Sequence, residues 1–212
     1  MKTKKNIKSI IIDLSNKDKL SDKEFKNAKQ LIFEQSNHFT NNLFVILDNI
    51  KYHGLPLSTS ICDYTDTFSL ILIDEIIWLI YSNKSKYFSN SFKSILWFTH
   101  KQDYDFNKDL LRVKHIWKDV EWGKREGNYH PLGKDPGNVW LKEYSKNGVI
   151  TRHECFTANE VYSKLIISQI KNKEELFEIY STEKNNIDLA EIKNNVKDKT
   201  KIIPTVQFYF IQ

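Results

Sequence analysis

Apolar residues along this chain fall into two periods, and their alternation predicts the fold class. Ser9-Ile10-Ile11-Ile12, within Lys8 to Asp13, is a β-branched run stopped by a charge, the pattern of a short buried strand. Ser21 and Glu24 are spaced as a capping box. Phe25, Ala28, Leu31 and Ile32 then share one helical face, so a helix is expected to about Gln35. Leu43 to Leu47 reads as a second buried strand, ended by Asp48 and Asn49. A helix from about Gly54 to Tyr64, a strand from Phe68 to Trp78 and a strand from Ile95 to Phe98 follow. Strands alternating with helices predict an α/β domain with a mainly parallel sheet.

From Lys101 to Asn138 the periodicity stops. Four of the six glycines fall here, Gly123, Gly127, Gly133 and Gly137, and basic residues alternate with aromatics. A long irregular loop is expected, of the kind that carries function. After Trp140 the pattern predicts a polar turn and then a helix from about Ala158 to Ile170, with Val161, Leu165, Ile166 and Ile170 on its apolar face. Lys171 to Lys201 is charged and asparagine-rich, and Thr205 to Ile211 reads as a closing strand.

Composition adds bounds. The 212 residues are 40% hydrophobic, enough for one packed core without disulfides or metals. The formal net charge of +5 permits contact with phosphates without demanding it. Cys62 and Cys155 are far apart and match no zinc spacing, the pattern of two reduced thiols. His153-Glu154-Cys155 is a weak hint of a metal or nucleophile site. The basic start Met1-Lys2-Thr3-Lys4-Lys5 is not followed by a signal-peptide core, and Asp74 and Glu75 interrupt the most apolar stretch. A soluble cytoplasmic protein without a membrane partner is expected.

Several segments in order resemble the β-class DNA amino-methyltransferases, which methylate adenine or cytosine. Ile95-Leu96-Trp97-Phe98-Thr99-His100 is similar to the family's "ILWFTK" strand, and Asp103-Tyr104-Asp105-Phe106-Asn107 to its "DYxFN" element. Arg112-Val113 follows in the expected place. Asn128 to Trp140, read through Pro131-Leu132-Gly133-Lys134-Asp135-Pro136-Gly137-Asn138-Val139-Trp140, looks like "NPLGKNPGDVW". Asp74-Glu75-Ile76-Ile77-Trp78 resembles the family's "IIW" strand, and His153-Glu154-Cys155-Phe156 the "EHPCQFP" segment before the cofactor-side helix. The resemblance spans roughly residues 6 to 168 and is strongest from 74 to 140.

The resemblance implies a Rossmann-like methyltransferase fold, with S-adenosylmethionine as cofactor if the chain is active and none otherwise. It also shows what is missing. The family's Asp-Pro-Pro-Tyr tetrapeptide positions the target amine and stacks on the flipped base. Here the same place holds Asp13-Leu14-Ser15-Asn16, so only Asp13 remains as a catalytic candidate. The cofactor loop needs glycines for a tight turn and close backbone approach. Glu175 to Ile179 sits where the strand before it belongs, yet no glycine occurs after Gly148. The cofactor-binding half is therefore expected to be incomplete. His153 and Phe156 are the remaining cofactor-side candidates.

These readings divide the chain into a methyltransferase-like α/β domain over 1–170, with a basic aromatic loop at about 101–140, and an eroded cofactor-side part over 171–212. Arg112, Lys114, Trp117, Lys118, Trp122, Lys124, Arg125 and Lys134 are candidate DNA contacts, the basic groups for phosphates and the indoles for stacking. The plainer alternative has the tryptophans plugging the loop onto the core. Three functions stay open: a degenerate member without activity alone, DNA-binding or a subunit beside a methyltransferase or restriction partner; an active S-adenosylmethionine-dependent enzyme; and a non-enzymatic nucleic-acid-binding module.

Overall fold

The computed structural model describes residues 7–15, 19–81, 91–100, 102–115, 129–146, 149–182 and 187–211. In chain order the elements are β1 (Ile7–Asp13), α1 (Asp22–Ser36), β2 (Phe39–Asp48), β3 (Lys51–Tyr52), β4 (Leu55–Pro56), α2 (Leu57–Asp66), β5 (Ile71–Leu79) and β6 (Phe92–Thr99). A 3-10 turn (Lys108–Leu111) follows, then β7 (Val139–Trp140), β8 (Lys142–Lys146), β9 (Val149–Glu154), α3 (Ala158–Ile167), β10 (Leu176–Ser181), α4 (Leu189–Thr200) and β11 (Thr205–Phe210).

One seven-stranded sheet organises the molecule, in the order β11-β10-β1-β2-β6-β5-β7. Four of its six pairings are parallel, and β6 runs antiparallel to both β2 and β5. Period-two alternation in β1 divides the core. Ile10 and Ile12 pack with Phe25, Ala28 and Ile32 of α1 and Leu57 and Ile61 of α2. Ile11 packs on the opposite face with Val161, Tyr162 and Leu165 of α3 and Ile192 and Val196 of α4. Helices therefore cover both faces, the Rossmann-like arrangement. Residues 176–210 supply two strands of this same sheet, with β10 directly beside β1.

The expected capping box formed, and α3 carries a second that the sequence reading did not single out. Ser21 accepts from the Glu24 backbone N–H and Glu24 reaches back to Ser21, and Thr157 and Glu160 do the same for α3. Several boundaries differ from expectation, β2 and β6 starting earlier at Phe39 and Phe92 and α3 ending at Ile167 among them. The second helix starts at Leu57, because His53 and Gly54 both take positive φ, 47° and 85°, and turn β3 onto β4 first. Ser69 (φ 60°) delays the third strand to Ile71. The expected polar turn after Trp140 opens an antiparallel hairpin, β8 with β9. Its strands are exposed on almost every residue, so no alternation marked them.

Candidate functional site

The order of strands reverses direction between β10 and β1, and ligands of open α/β sheets bind outside the carboxyl ends of strands at such a point. Asp13 ends β1 there, in register with Ser181 of β10 and Ile46 of β2. It lies on the α3 face, like Ile11, and is 2% exposed. Its carboxylate is engaged by its own chain. Oδ1 accepts from the Ser15 backbone N–H at 2.9 Å and from Ser15 Oγ at 2.5 Å. Oδ2 accepts from the Tyr162 hydroxyl at 2.6 Å, delivered from the middle of α3.

The network extends to β6. Ser15 Oγ accepts from Lys93 Nζ at 2.8 Å, and that ammonium lies 4.8 Å from the centre of the Trp78 ring. Lys93 is 7% exposed, so a buried cation meets a buried carboxylate through one hydroxyl. Thr182, just past β10, binds the same corner. Its N–H donates to the Asp13 carbonyl at 3.2 Å and its hydroxyl to the Ser15 carbonyl at 3.0 Å. The crevice at the reversal point is thus bridged by main-chain and hydroxyl hydrogen bonds.

A second polar knot fixes the start of the basic loop. Asn41, at the foot of β2, donates to the Asp105 carbonyl and accepts from the Asp105 N–H. Asn41 and Asn42 both donate to Gln169 Oε1. Trp97 Nε1 donates to Asn42 Oδ1 at 2.8 Å. The Asp105 carboxylate pairs with Lys171 and Lys8, which hold it below the usual carboxylate range. The Asp103-to-Asn107 element is thereby tied to β2, β6 and the end of α3.

The loop's two stems are clasped. Val113 and Lys134 exchange backbone hydrogen bonds at 3.1 and 2.7 Å. Gly133 has φ +112°, and a Cβ there would lie 2.3 Å from the Val113 carbonyl oxygen. Only glycine suits that approach. Arg112 braces the clasp, with Nε on Asp109 Oδ1 at 2.5 Å and Nη1 on the Gly133 carbonyl at 3.0 Å.

The candidate DNA contacts therefore separate. The Arg112 side chain is 12% exposed and bonded within the clasp. Lys134 is half exposed, with Glu143 at 3.3 Å, and Lys114 is exposed. Trp117, Lys118, Trp122, Lys124 and Arg125 lie outside the described residues. On the cofactor side, His153 is exposed on β9, and its carbonyl accepts from Tyr81. Phe156 is half-buried before α3, its carbonyl accepting from Trp78 Nε1 at 3.0 Å. Neither touches Asp13 through any contact described. Burial pushes the Cys155 thiol up, the opposite of an activated nucleophile. Among the described residues no cluster of His, Cys, Asp or Glu has the makings of a metal site.

Sequence reasoning missed Ser15, Lys93, Tyr162 and Thr182. Lys93 lay just before the strand expected from Ile95 to Phe98 and falls inside β6, Phe92–Thr99; Tyr162 lay in the expected helix.

No protein-family model matches the chain. The type II methyltransferase M.BglII of Bacillus subtilis is 30% identical over 96 residues, 41% of this chain and 26% of that protein. The match thus spans about a quarter of the curated relative. Among solved structures, the PvuII DNA methyltransferase (cytosine-N4-specific) has TM-score 0.58 at 10% identity, covering 98% of this chain and 76% of that one. M1.HpyAVI in complex with SAM has TM-score 0.51 at 15% identity, covering 97% and 83%. The chain is DNA amino-methyltransferase-like. At these identities the structural likeness is one of fold. The methyltransferase-like sheet accounts for the order of the resembling segments: β1 carries Asp13, β5 and β6 carry the "IIW" and "ILWFTK" matches, and β10 stands beside β1. Among the described residues no helix is long and apolar enough to cross a membrane.

Proposed function

We propose that this methyltransferase-like chain does not transfer methyl groups by itself, and that it works on DNA as a binding protein or as the partner of a methyltransferase or restriction subunit. One observation carries the reading: the carboxylate of Asp13 is buried and bonded by Ser15 and Tyr162 of its own chain. A catalytic acceptor must instead present a lone pair to the target amine.

The residues present do not suit S-adenosylmethionine either. The sequence after β10 contains no glycine, and Thr182 bonds across the corner where the main chain would open towards a cofactor. DNA as a partner is supported by the net charge of +5 and by Lys114, Lys118, Lys124 and Arg125, which fall in sequence between the paired residues Val113 and Lys134.

Incubation of the purified chain with DNA and labelled S-adenosylmethionine is expected to give no transfer above background. Robust methylation would refute the reading. For the DNA partner, Lys124→Glu with Arg125→Glu is expected to weaken retention about tenfold or more and to flatten its salt dependence; unchanged retention and slope would remove that part.

A further inference from the structure

We infer that Lys164 is a carbonyl-reactive amine, seated in a cleft between α3, α4 and the Lys108–Leu111 turn that admits a small apolar aldehyde and condenses with it to an imine. The cleft measures about 340 Å³, within the range of about 300–1,000 Å³ typical of small-molecule sites. Leu110, Leu111, Val113, Phe156 and Ile167 supply apolar lining against which a small apolar or aromatic group can lie, and Ser163 and Asn195 add uncharged polar lining. Lys164 projects from α3 into it, with Nζ 4.9 Å from the centre of the Phe156 ring and 5.0 Å from that of Trp140. Nothing in the Asp13 network uses this amine.

Four other charged residues line the cleft. Glu160 stands one turn back on α3, but is paired with Lys142 of β8 at 2.7 Å. Asp198 and Lys199 face the cleft from α4, and Arg112 follows the 3-10 turn with its guanidinium on Asp109. The aromatic faces favour an ammonium. Desolvation opposes it, Lys199 adds like-charge repulsion, and together they bring Lys164 down to about 8. At pH 7.5 about a quarter of such amines are neutral, against about one in a thousand for an ordinary lysine. The carboxylates of Glu160 and Asp198 make an anionic ligand the poorer choice.

The condensation balances without an oxidant or reductant. The neutral nitrogen's lone pair forms the C–N bond as the carbonyl oxygen takes up a proton. The nitrogen then loses its remaining protons as the hydroxyl leaves with one more proton as water, giving the imine. Net, one aldehyde and one amine yield one imine and one water.

The test uses the full chain, benzaldehyde as probe and sodium cyanoborohydride to trap the imine, with labelled peptides mapped by mass spectrometry. At pH 7.5 Lys164 is expected to take the label at least about tenfold faster than exposed lysines. Its rate should saturate with aldehyde concentration, and its advantage should shrink as the pH approaches 10.5, where about half of ordinary lysines are free amines. Lys164→Arg should remove the fast phase; if that variant fails to fold, the peptide map of the unaltered chain decides alone. Even labelling across the surface, or a Lys164 rate linear in aldehyde with no advantage at pH 7.5, would overturn the assignment.

Discussion

Tyr162→Phe is the sharpest probe of the Asp13 corner, because it deletes one hydroxyl and leaves the ring in place. Tyr162 is 1% exposed and packs in the core of the α3 face, so phenylalanine fills the same space without a cavity. What is lost is the 2.6 Å bond to Asp13 Oδ2. A hydrogen bond to a charged group contributes about 1.5–3 kcal/mol, and its loss leaves a carboxylate oxygen buried without that donor. The expected cost is about 2–3 kcal/mol, or about 5–10 °C in Tm for a chain of this size. Urea unfolding followed by circular dichroism gives the number from the midpoint shift. Asp13→Asn sets the sign against the rival idea. A carboxylate kept for catalysis is commonly destabilising, so its neutralisation would raise stability. A carboxylate that balances Lys93 through Ser15 should instead lower stability by about 3 kcal/mol or more when neutralised. The two changes should be coupled by about 1 kcal/mol or more in a double-mutant cycle. A Tyr162→Phe effect under about 0.5 kcal/mol, or a stabilised Asp13→Asn, would refute the structural role.

Three further outcomes follow from particular contacts. Gly133→Ala should cost about 2–4 kcal/mol, from positive φ and from the clash with the Val113 carbonyl, and hydrogen exchange should show the Val113 and Lys134 amides losing protection. Asp105→Asn should cost about 1 kcal/mol at pH 7: Lys171 and Lys8 lower the folded carboxyl's pKa, so its stabilisation is present above the ordinary carboxylate pKa and vanishes as pH falls through the folded value. Unfolding curves of variant and wild type should converge in acid. Lys164→Met should stabilise the chain at pH 7 by about 1–2 kcal/mol, after discounting for partial exposure. The folded amine sits at about 8, below its unfolded value, so its penalty is complete below pH 8 and fades as pH rises towards 10.5, and the two stability curves should meet there.

The strands were readable where burial was strong on both faces. β1 and β2 contain unbroken apolar runs, Ile10 to Ile12 and Leu43 to Leu47, because helices cover both faces of the sheet, and runs of that kind announce themselves. β8 and β9 did not, because a two-stranded hairpin with residues such as Glu143, Ser145, Thr151 and Arg152 exposed follows no hydrophobic period. β10 was placed by its neighbourhood in the resembling segments rather than by pattern. Its pairing with β1 makes the stretch from Leu176 part of the central sheet. At the site, Asp13 was legible as a charge ending an apolar run. Its distant partners were not, since Tyr162 lies 149 residues away in sequence and, like Lys93, reaches this corner only once β1, β6 and α3 are packed. The glycines of the Gly133-to-Gly137 segment were legible as turn residues, and φ values of +112° and +65° give the reason.

An aspartate at the end of β1 is by itself weak support for catalysis, and its neighbours supply the physical reason. A catalytic acceptor and a structural one need opposite surroundings. The first needs an open lone pair facing a ligand; the second needs donors from its own chain and a compensating charge. Asp13 has donors from the segment after β1 and from α3, and Lys93 brings a positive charge from β6 through Ser15. Once such a network exists, the carboxylate is held by stability alone. Removing it would leave the Tyr162 hydroxyl without this acceptor and the Lys93 ammonium without this counter-charge in a protein interior, a cost of several kcal/mol. The prolines and aromatic of the resembling tetrapeptide have no comparable anchor, because their work is directed at a ligand and not at the fold. On the proposed reading, selection for folding alone is enough to keep Asp13 while the residues beside it change.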